Sequence, residues 1–209
     1  MLERFRAFFT KVISPIARLL LRLGVSPDAV TLVGTLGVCA GALVFFPQGK
    51  LLTGVLVITA FVFSDLIDGT MARTSGRVSK FGAFWDSTLD RIGDGAIFMG
   101  IALYFAWEEP SRLYLVLSLV CLLMGAVTSY ARSRGETLGY DVKVGIAERA
   151  DRLVGILVLT GFSAIFDQPW LLYLALWVLA VASTITVGQR VWVVRRQALA
   201  EIAVRSEHG

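Results

Sequence analysis

Residues 51–90 read LLTGVLVITAFVFSDLIDGTMARTSGRVSKFGAFWDSTLD. The apolar first part of this stretch approaches the length of a membrane-spanning helix, which needs about 20 residues. It ends on Asp65 and Asp68, and after a basic turn Asp86 and Asp90 lie in the next helical segment. Acidic side chains within membrane helices are costly and indicate function by default. The stretch therefore predicts two membrane helices that share a charged site at one end.

The rest of the chain has the composition of a membrane protein. Of its 209 residues, 56% are hydrophobic and only 17% are charged, whereas soluble domains carry about a quarter charged residues. We expect an all-α integral membrane protein that forms a single domain over residues 1–209, with a six-helix transmembrane bundle over 28–195. The predicted spans are 28–47, 51–73, 81–106, 111–137, 148–166 and 169–195.

The N-terminal segment, residues 1–22, is predicted to be an amphipathic helix at the membrane interface. Apolar residues recur there at mostly helical spacing with basic residues between them, a pattern typical of interfacial helices. The alternative is an ordinary first turn that leads into a span. Lys and Arg concentrate at both termini and in the turns after the second and fourth spans, so we expect a multi-pass protein of the cell membrane with both termini in the cytoplasm.

The composition also disfavours several classes of function. The net charge is +4, but the basic residues collect at the ends of apolar segments, which suits topology and anionic lipid better than nucleic acid. Cys39 and Cys121 are single cysteines within apolar segments and predict no disulfide. The only histidine, His208, is the penultimate residue. Any general base is therefore expected to be a carboxylate.

The four aspartates, Asp65, Asp68, Asp86 and Asp90, have the spacing of a divalent-metal site. Each pair lies on one helix face, and a hairpin with its turn near 74–80 would bring the faces together. Because four close carboxylates repel strongly, two divalent ions would neutralise them, and oxygen ligands favour Mg²⁺ or Mn²⁺ over Zn²⁺. One alternative is a solvated cluster paired with nearby basic residues. Another is a divalent-cation channel or transporter, because membrane carboxylates also mark ion pathways.

Small residues and one arginine accompany these aspartates. Gly69 and Gly82 carry no side chain where the two helices would face each other, so a ligand or backbone can approach closely. Arg73 can bind a phosphate through two parallel hydrogen bonds. Carboxylates, hard metal ions and an arginine together suit the displacement of a phosphoryl-type group.

The pattern over residues 65–90 is D-x-x-D-G-x-x-A-R, eight residues, then G-x-x-x-D-x-x-x-D. It resembles the signature of the CDP-alcohol phosphatidyltransferases, with every fixed position present. The layout of six predicted spans after an amphipathic N-terminal helix also resembles that of this family. The resemblance implies an enzyme that displaces CMP from CDP-diacylglycerol with an alcohol. It implies two metal ions held by the four aspartates, with Asp90 also acting as general base.

The resemblance further implies which residues contact CDP-diacylglycerol. They are Asp28, Ala29, Val30, Thr31, Gly69, Arg73 and Ser79. From the residues alone, Asp28 has a structural alternative, since an acidic residue in the first turn of a helix is stabilised by the helix dipole.

Basic residues in the second half of the chain predict the kind of acceptor. They could form a cationic pocket for an alcohol that already carries a phosphate, and the alternative is that they set topology and pair with nearby acids. The predicted acceptor-binding residues are Ser129, Arg132, Arg149, Arg152 and Arg190.

Within the family, the chain-wide pattern is similar to the bacterial members that join CDP-diacylglycerol to inositol 3-phosphate. Its pieces include S-Y-A-R-S-R in the fourth span and E-R-x-x-R-L in the fifth. Glycerol 3-phosphate, the acceptor of phosphatidylglycerophosphate synthase, is the alternative. The resemblance also suggests a homodimer, and Gly34, Gly37 and Gly41 offer a small face for helix packing.

Overall fold

The computed structural model describes residues 13–76 and 79–207, apart from the side chains of Asp65 and of residues 204–207. The described residues form helices and short connecting segments. Contacts divide the chain into two compact units, Met1–Gly100 and Ile101–Gly209. The helices are α1 (13–22), α2 (Pro27–Ala40), α3 (Leu51–Val62), α4 (Ser64–Ser75), α5 (Lys80–Trp107), α6 (Arg112–Thr137), α7 (Arg149–Phe166) and α8 (Trp170–Glu207).

Helix α2 begins at a well-formed cap. The side chain of Ser26 accepts a hydrogen bond from the backbone N–H of Ala29 at 3.2 Å, and Pro27 occupies the first turn, where its missing N–H costs nothing. Beyond Ala40 the helix widens into a π-helical segment, Gly41–Phe45, and ends in a 3₁₀ turn. Together these segments cover the predicted first span.

Glycines in α2 allow it to pack closely against α3 and α4. A Cβ atom added at Gly34 would overlap the side chain of Ser64, and one at Gly41 would lie 2.8 Å from Ile58 Cγ1. Between them, Gly37 faces the ring of a phenylalanine in α3. As the residue number rises along α2, the number of the residue it contacts falls from α4 back into α3. Helix α2 is therefore antiparallel to the segment formed by α3 and α4. The small face predicted from these glycines therefore packs within the chain.

The predicted second span is divided into two helices. Helix α3 ends at Val62, Phe63 forms a turn, and α4 begins at Ser64. The N–H of Leu66 donates to the carbonyl oxygen of Phe63 at 3.2 Å, a tighter bond than the helical i→i−4 pattern. Helix α4 ends at Gly76, whose φ of 66° lies in the left-handed region that glycine adopts readily. The break separates an apolar helix from the acidic one.

The prediction of an all-α membrane protein is confirmed. Among the described residues, four segments are long and apolar enough to cross a membrane: Pro27–Gln48, Leu51–Ser75, Arg112–Thr137 and Trp170–Ala203. Helices α5 and α7 carry five and three charged residues, mostly toward their N-terminal ends, so the count of six spans stays a prediction. Helix α8 has 38 residues, about 57 Å at 1.5 Å per residue, and continues past the predicted end at residue 195.

Part of the predicted interfacial helix lies outside the described residues, namely residues 1–12. The described part, α1, exposes apolar Ile16 and Leu19 together with basic Arg18. Interfacial placement stays a prediction, as does the single domain over 1–209.

Candidate active site

The carboxylate of Asp68 is buried beside the first turn of α2. Its side chain is 7% exposed, and its Oδ2 accepts a hydrogen bond from Thr31 Oγ1 at 2.6 Å. The same hydroxyl lies 3.1 Å from the carbonyl oxygen of Pro27. A buried carboxylate is costly unless hydrogen bonds or cations compensate it, and Thr31 supplies one such bond. Thr31, predicted to contact CDP-diacylglycerol, thus also orients a predicted metal ligand.

The same turn of α2 contacts the start of α5. The indole Nε1 of Trp85 donates to the carbonyl oxygen of Asp28 at 3.1 Å. A Cβ atom added at Gly82 would lie 3.6 Å from Asp28 Oδ1 and 3.2 Å from Ser79 Oγ. The N–H of Gly82 donates to that hydroxyl at 2.9 Å. Asp28 and Ser79, both predicted to contact CDP-diacylglycerol, therefore lie next to the space that a side chain at Gly82 would occupy.

The first turn of α2 is consequently a junction between the two acidic helices. Thr31 reaches α4, and Asp28, three residues earlier, reaches α5. Three residues correspond to a rise of about 4.5 Å along the helix. The two helices that carry the aspartate pairs therefore contact α2 at points less than one helical turn apart.

Asp86 and Asp90 lie one turn apart on α5. The side chain of Asp86 is exposed, and that of Asp90 is 18% exposed with one oxygen 3.9 Å from Arg91 Nη2. The same nitrogen lies 3.7 Å from Asp94. At these separations Arg91 provides a weak, shared positive charge. Arg91 thus supplies only part of the positive charge required by the alternative in which neighbouring basic side chains neutralise the aspartates.

Arg73 lies on the exposed side of α4, one turn beyond Gly69. A Cβ atom added at Gly69 would lie 3.6 Å from Arg73 Nη1, and Nη2 of Arg73 donates to Thr70 Oγ1 at 3.4 Å. The missing side chain at Gly69 therefore leaves the flank of an exposed guanidinium accessible. Such a fork can bind a phosphate through two hydrogen bonds.

The chemistry of the donors suits Mg²⁺ or Mn²⁺, which prefer carboxylate oxygens. Asp65 lies in α4, three residues before Asp68, but its side chain is outside the described part. Among the described side chains, no group of three or more Asp, Glu, His or Cys residues is close enough to hold a metal ion. The four-aspartate ligand set stays a prediction.

The second unit buries two arginines against α6. Arg152 is 2% exposed and Arg190 is 3% exposed. A Cβ atom added at Gly125 would lie 3.6 Å from Arg152 Nε, and Nη1 of Arg190 donates to the carbonyl oxygen of Thr128 at 2.5 Å. Because Gly125 and Thr128 are three residues apart, the two guanidinium groups lie along one face of α6.

These two guanidinium groups also bind the segment that connects α6 to α7. Arg190 Nε donates to the carbonyl oxygen of Val144 at 2.9 Å, and Arg152 Nη1 donates to that of Ala147 at 3.1 Å. Within the described part of the chain, the ion pairs do not include Arg190. Carbonyl dipoles compensate a buried guanidinium only in part. The position of Arg190 is therefore well suited to an anionic ligand.

The other predicted acceptor residues have different surroundings. Arg132 Nε lies 3.0 Å from Glu136, and its Nη1 lies 3.9 Å from Glu148, as expected if Arg132 pairs with nearby acids. Ser129 donates to the carbonyl oxygen of Gly125 at 3.2 Å. Arg149 lies half-buried in the first turn of α7. The structure thus separates the deeply buried Arg152 and Arg190 from three more exposed residues.

Trp85 and Thr186, which lie outside the predicted site residues, make contacts that were not anticipated from the sequence. Trp85 binds Asp28 from a position that the family pattern leaves variable, and no signal in the sequence points to this contact. Thr186 binds the backbone of Ile146 and Ala147. A weak signal exists for Thr186, since hydroxyl residues recur there within an otherwise apolar helix.

Comparisons with known proteins identify the family of this chain. The family model described as CDP-alcohol phosphatidyltransferase matches residues 24–187. A phosphatidylinositol phosphate synthase of Streptomyces avermitilis is 52% identical, over 100% of this chain and 88% of its own length. Among solved structures, the Mycobacterium tuberculosis phosphatidylinositol phosphate synthase with CDP-DAG bound is 42% identical with a TM-score of 0.85, covering 88% of this chain and 94% of that one.

A second structure of the Mycobacterium tuberculosis enzyme contains manganese and citrate. It is 43% identical, has a TM-score of 0.84, and covers 87% of this chain and 88% of that one. The family match spans most of the chain, and the relatives are similar over nearly their full lengths. This chain belongs to the CDP-alcohol phosphatidyltransferase family.

Proposed function

We propose that this chain is a phosphatidylinositol phosphate synthase, which transfers the phosphatidyl group from CDP-diacylglycerol to inositol 3-phosphate and releases CMP. The observation that carries the proposal is the junction at the first turn of α2, where Thr31 binds Asp68 and Asp28 binds the start of α5. The names of the relatives, and the CDP-DAG bound to one of them, support the same substrate class.

The residues around this junction are proposed to bind CDP-diacylglycerol. Arg73 offers its exposed guanidinium to a phosphate, and Gly69 and Gly82 leave space for the nucleotide portion. Asp28 and Ser79 offer hydrogen-bonding groups beside that space. The neighbouring Ala29, Val30 and Thr31 complete the proposed set.

The four aspartates, Asp65, Asp68, Asp86 and Asp90, are proposed to hold two divalent ions, Mg²⁺ or Mn²⁺. The manganese in a relative's structure supports a divalent ion. Such ions, when bound, would stabilise the charge that develops on the phosphates. The hydroxyl oxygen of the acceptor forms a bond to the lipid-side phosphorus as the bond to CMP breaks, and Asp90 takes the hydroxyl proton.

The arginine cluster of the second unit is proposed to bind the phosphate that the acceptor already carries. Arg152 and Arg190 lie deepest, and burial strengthens their interaction with a dianion. Arg149, Arg132 and Ser129 are proposed to contribute from more exposed positions.

We also propose that α5 and α7 cross the membrane, which gives six spans. The distribution of Lys and Arg supports a cell-membrane protein with both termini and the active site on the cytoplasmic side. The family resemblance supports a homodimer. The glycines of α2 already pack within the chain, so another surface would form the dimer contact.

The decisive experiment measures CMP release by the purified protein with CDP-diacylglycerol, Mg²⁺ and one acceptor at a time. We expect release with inositol 3-phosphate and little with free inositol or glycerol 3-phosphate. Faster release with glycerol 3-phosphate would make the chain a phosphatidylglycerophosphate synthase. If no polyol phosphate supports release and the protein carries Mg²⁺ or Mn²⁺ into liposomes, the enzymatic proposal fails in favour of a transporter.

A further inference from the structure

The segment between α6 and α7, residues 138–148, is held against one face of α8. Its contacts on α8 include Thr186, Arg190 and Gln197, which lie within about 40° of one another around the helix axis. Gln197 binds both backbone groups of Asp141: its Oε1 accepts from the N–H at 3.0 Å, and its Nε2 donates to the carbonyl oxygen at 2.8 Å. Backbone groups in the middle of this segment thus find hydrogen-bond partners on side chains of α8.

Thr186 makes the contact nearest to α7. Its side chain is 0% exposed, and its Oγ1 accepts hydrogen bonds from the N–H groups of Ile146 at 3.2 Å and Ala147 at 3.1 Å. The same hydroxyl donates to the carbonyl oxygen of Ala182 at 2.8 Å. One donor and two acceptor positions are the full capacity of a hydroxyl group. Thr186 is therefore saturated and is the acceptor for two consecutive backbone amides.

The residue that Thr186 holds also binds an arginine of the cluster. The carbonyl oxygen of Ala147 accepts from Arg152 Nη1 at 3.1 Å, so a continuous path of hydrogen bonds links Thr186 to the guanidinium group of Arg152. The contact is tight on its other side too. Gly145 has a φ of 143°, and a Cβ atom added there would overlap the methyl group of Thr186.

We propose that Thr186 is a positioning residue for the acceptor site: it fixes the Ile146–Ala147 backbone, whose carbonyl group orients the guanidinium of Arg152. The inference rests on the proposed role of Arg152 in binding the acceptor phosphate. Thr186 acts through Ala147. Loss of its hydroxyl leaves the buried amide of Ala147 and the part-buried amide of Ile146 without their acceptor, and the backbone must shift to satisfy them.

The test compares Thr186→Val, which keeps the shape and removes the hydroxyl, with Thr186→Ser, which keeps the hydroxyl. We expect Thr186→Val to raise the KM for inositol 3-phosphate about tenfold, the effect of one misplaced charge-assisted hydrogen bond, and to leave the KM for CDP-diacylglycerol unchanged. Thr186→Ser should restore the wild-type KM. The control is Thr184→Val, because Thr184 bonds only the carbonyl oxygen of Ala180, at 2.7 Å, on an exposed side of α8.

Hydrogen exchange provides a readout that does not depend on activity. The amides of Ile146 and Ala147 should exchange faster in Thr186→Val than in the wild type or Thr184→Val. If Thr186→Val proves unstable, Gly145→Ala disturbs the same contact from the loop side and should give the same selective rise in KM. Equal changes in both KM values, or faster exchange with an unchanged KM for inositol 3-phosphate, would overturn the inference. Failure of the proposed function is distinguishable, because wild-type protein would then release no CMP with inositol 3-phosphate.

Discussion

The two units build their charged sites in different ways. In Met1–Gly100 the four aspartates of the motif lie within 26 consecutive positions on two successive helices, and the first residues of α2 contact both of those helices. In Ile101–Gly209 the buried arginines come from α7 and α8, and they meet the backbone of α6 and of the segment 138–148. The first site can be recognised from the spacing of its residues along the sequence, whereas the second depends on tertiary contacts.

This difference predicts which conservative substitutions should affect function in each unit. In the first unit, the proposed functional groups are the side chains of the motif itself, so a change there should affect chemistry directly. In the second unit, the guanidinium groups are oriented by carbonyl groups of a segment without regular structure. Changes to residues that contact no substrate should therefore alter acceptor binding.

The largest effect is expected for Asp90→Asn. If Asp90 accepts the proton of the attacking hydroxyl, kcat should fall about 10³-fold while the affinity for CDP-diacylglycerol is largely retained. Asp94→Asn is the matched control, since Asp94 lies one turn further along α5 beside the same Arg91. CMP release and equilibrium binding of CDP-diacylglycerol measure the two quantities. A kcat close to that of the wild type in Asp90→Asn would show that another group takes the proton.

The next largest effect tests the arginine cluster. Arg152→Ala removes a charged donor from the acceptor site and should raise the KM for inositol 3-phosphate roughly ten- to a hundredfold, with little change for CDP-diacylglycerol. Arg134→Ala, at an exposed arginine near the end of α6, controls for the loss of positive charge. Steady-state kinetics with each substrate varied in turn gives both KM values. An equal loss for both substrates would remove Arg152 from the acceptor site.

The comparison also explains how much the sequence predicts. The spacing of Asp65, Asp68, Asp86 and Asp90 depends only on helix periodicity, so the acidic segment could be predicted well, and the helices lie close to the predicted positions. The break at Phe63 could not, because no Gly or Pro marks it. The extension of α8 beyond residue 195 was not predicted, because the length needed to cross a bilayer does not determine where a helix ends.

The arginine cluster was predictable only as a set of residues. Charge and position suggested Arg152 and Arg190, and their burial agrees with this. The carbonyl partners of these arginines, on Thr128, Val144 and Ala147, could not be foreseen. Backbone groups carry no sequence signal, and their positions depend on how the segment 138–148 packs.

A smaller effect is expected at the junction in the first unit. Thr31→Val removes the hydrogen bond to Asp68 and should raise the Mg²⁺ concentration for half-maximal activity roughly tenfold, as for other residues that orient metal ligands. Thr35→Val is the matched control, because Thr35 bonds only the carbonyl oxygen of Thr31, at 3.1 Å, one turn along α2. Activity titrated with Mg²⁺ measures the effect. An unchanged Mg²⁺ dependence would mean that Thr31 does not orient a metal ligand.

The smallest effect is expected on stability alone, with catalysis unchanged. It distinguishes a structural carboxylate from a functional one. In the second unit, Glu109 accepts hydrogen bonds from Tyr104, at 2.6 Å, and from Tyr173, which stacks on Tyr114 with ring centroids 4.0 Å apart. Glu109→Gln weakens these charge-assisted bonds and should lower the free energy of unfolding by about 1–2 kcal/mol.

Thermal unfolding in detergent measures the stability of Glu109→Gln, and Glu108→Gln controls for the lost charge because Glu108 is exposed. Both variants should keep wild-type values of kcat and of both KM values. The reason is that each carboxylate oxygen of Glu109 accepts a hydrogen bond from a tyrosine of the protein itself, as a structural role requires. A changed KM in Glu109→Gln alone would mean that this tyrosine-bound carboxylate is coupled to substrate binding, and the distinction between the two kinds of carboxylate would fail.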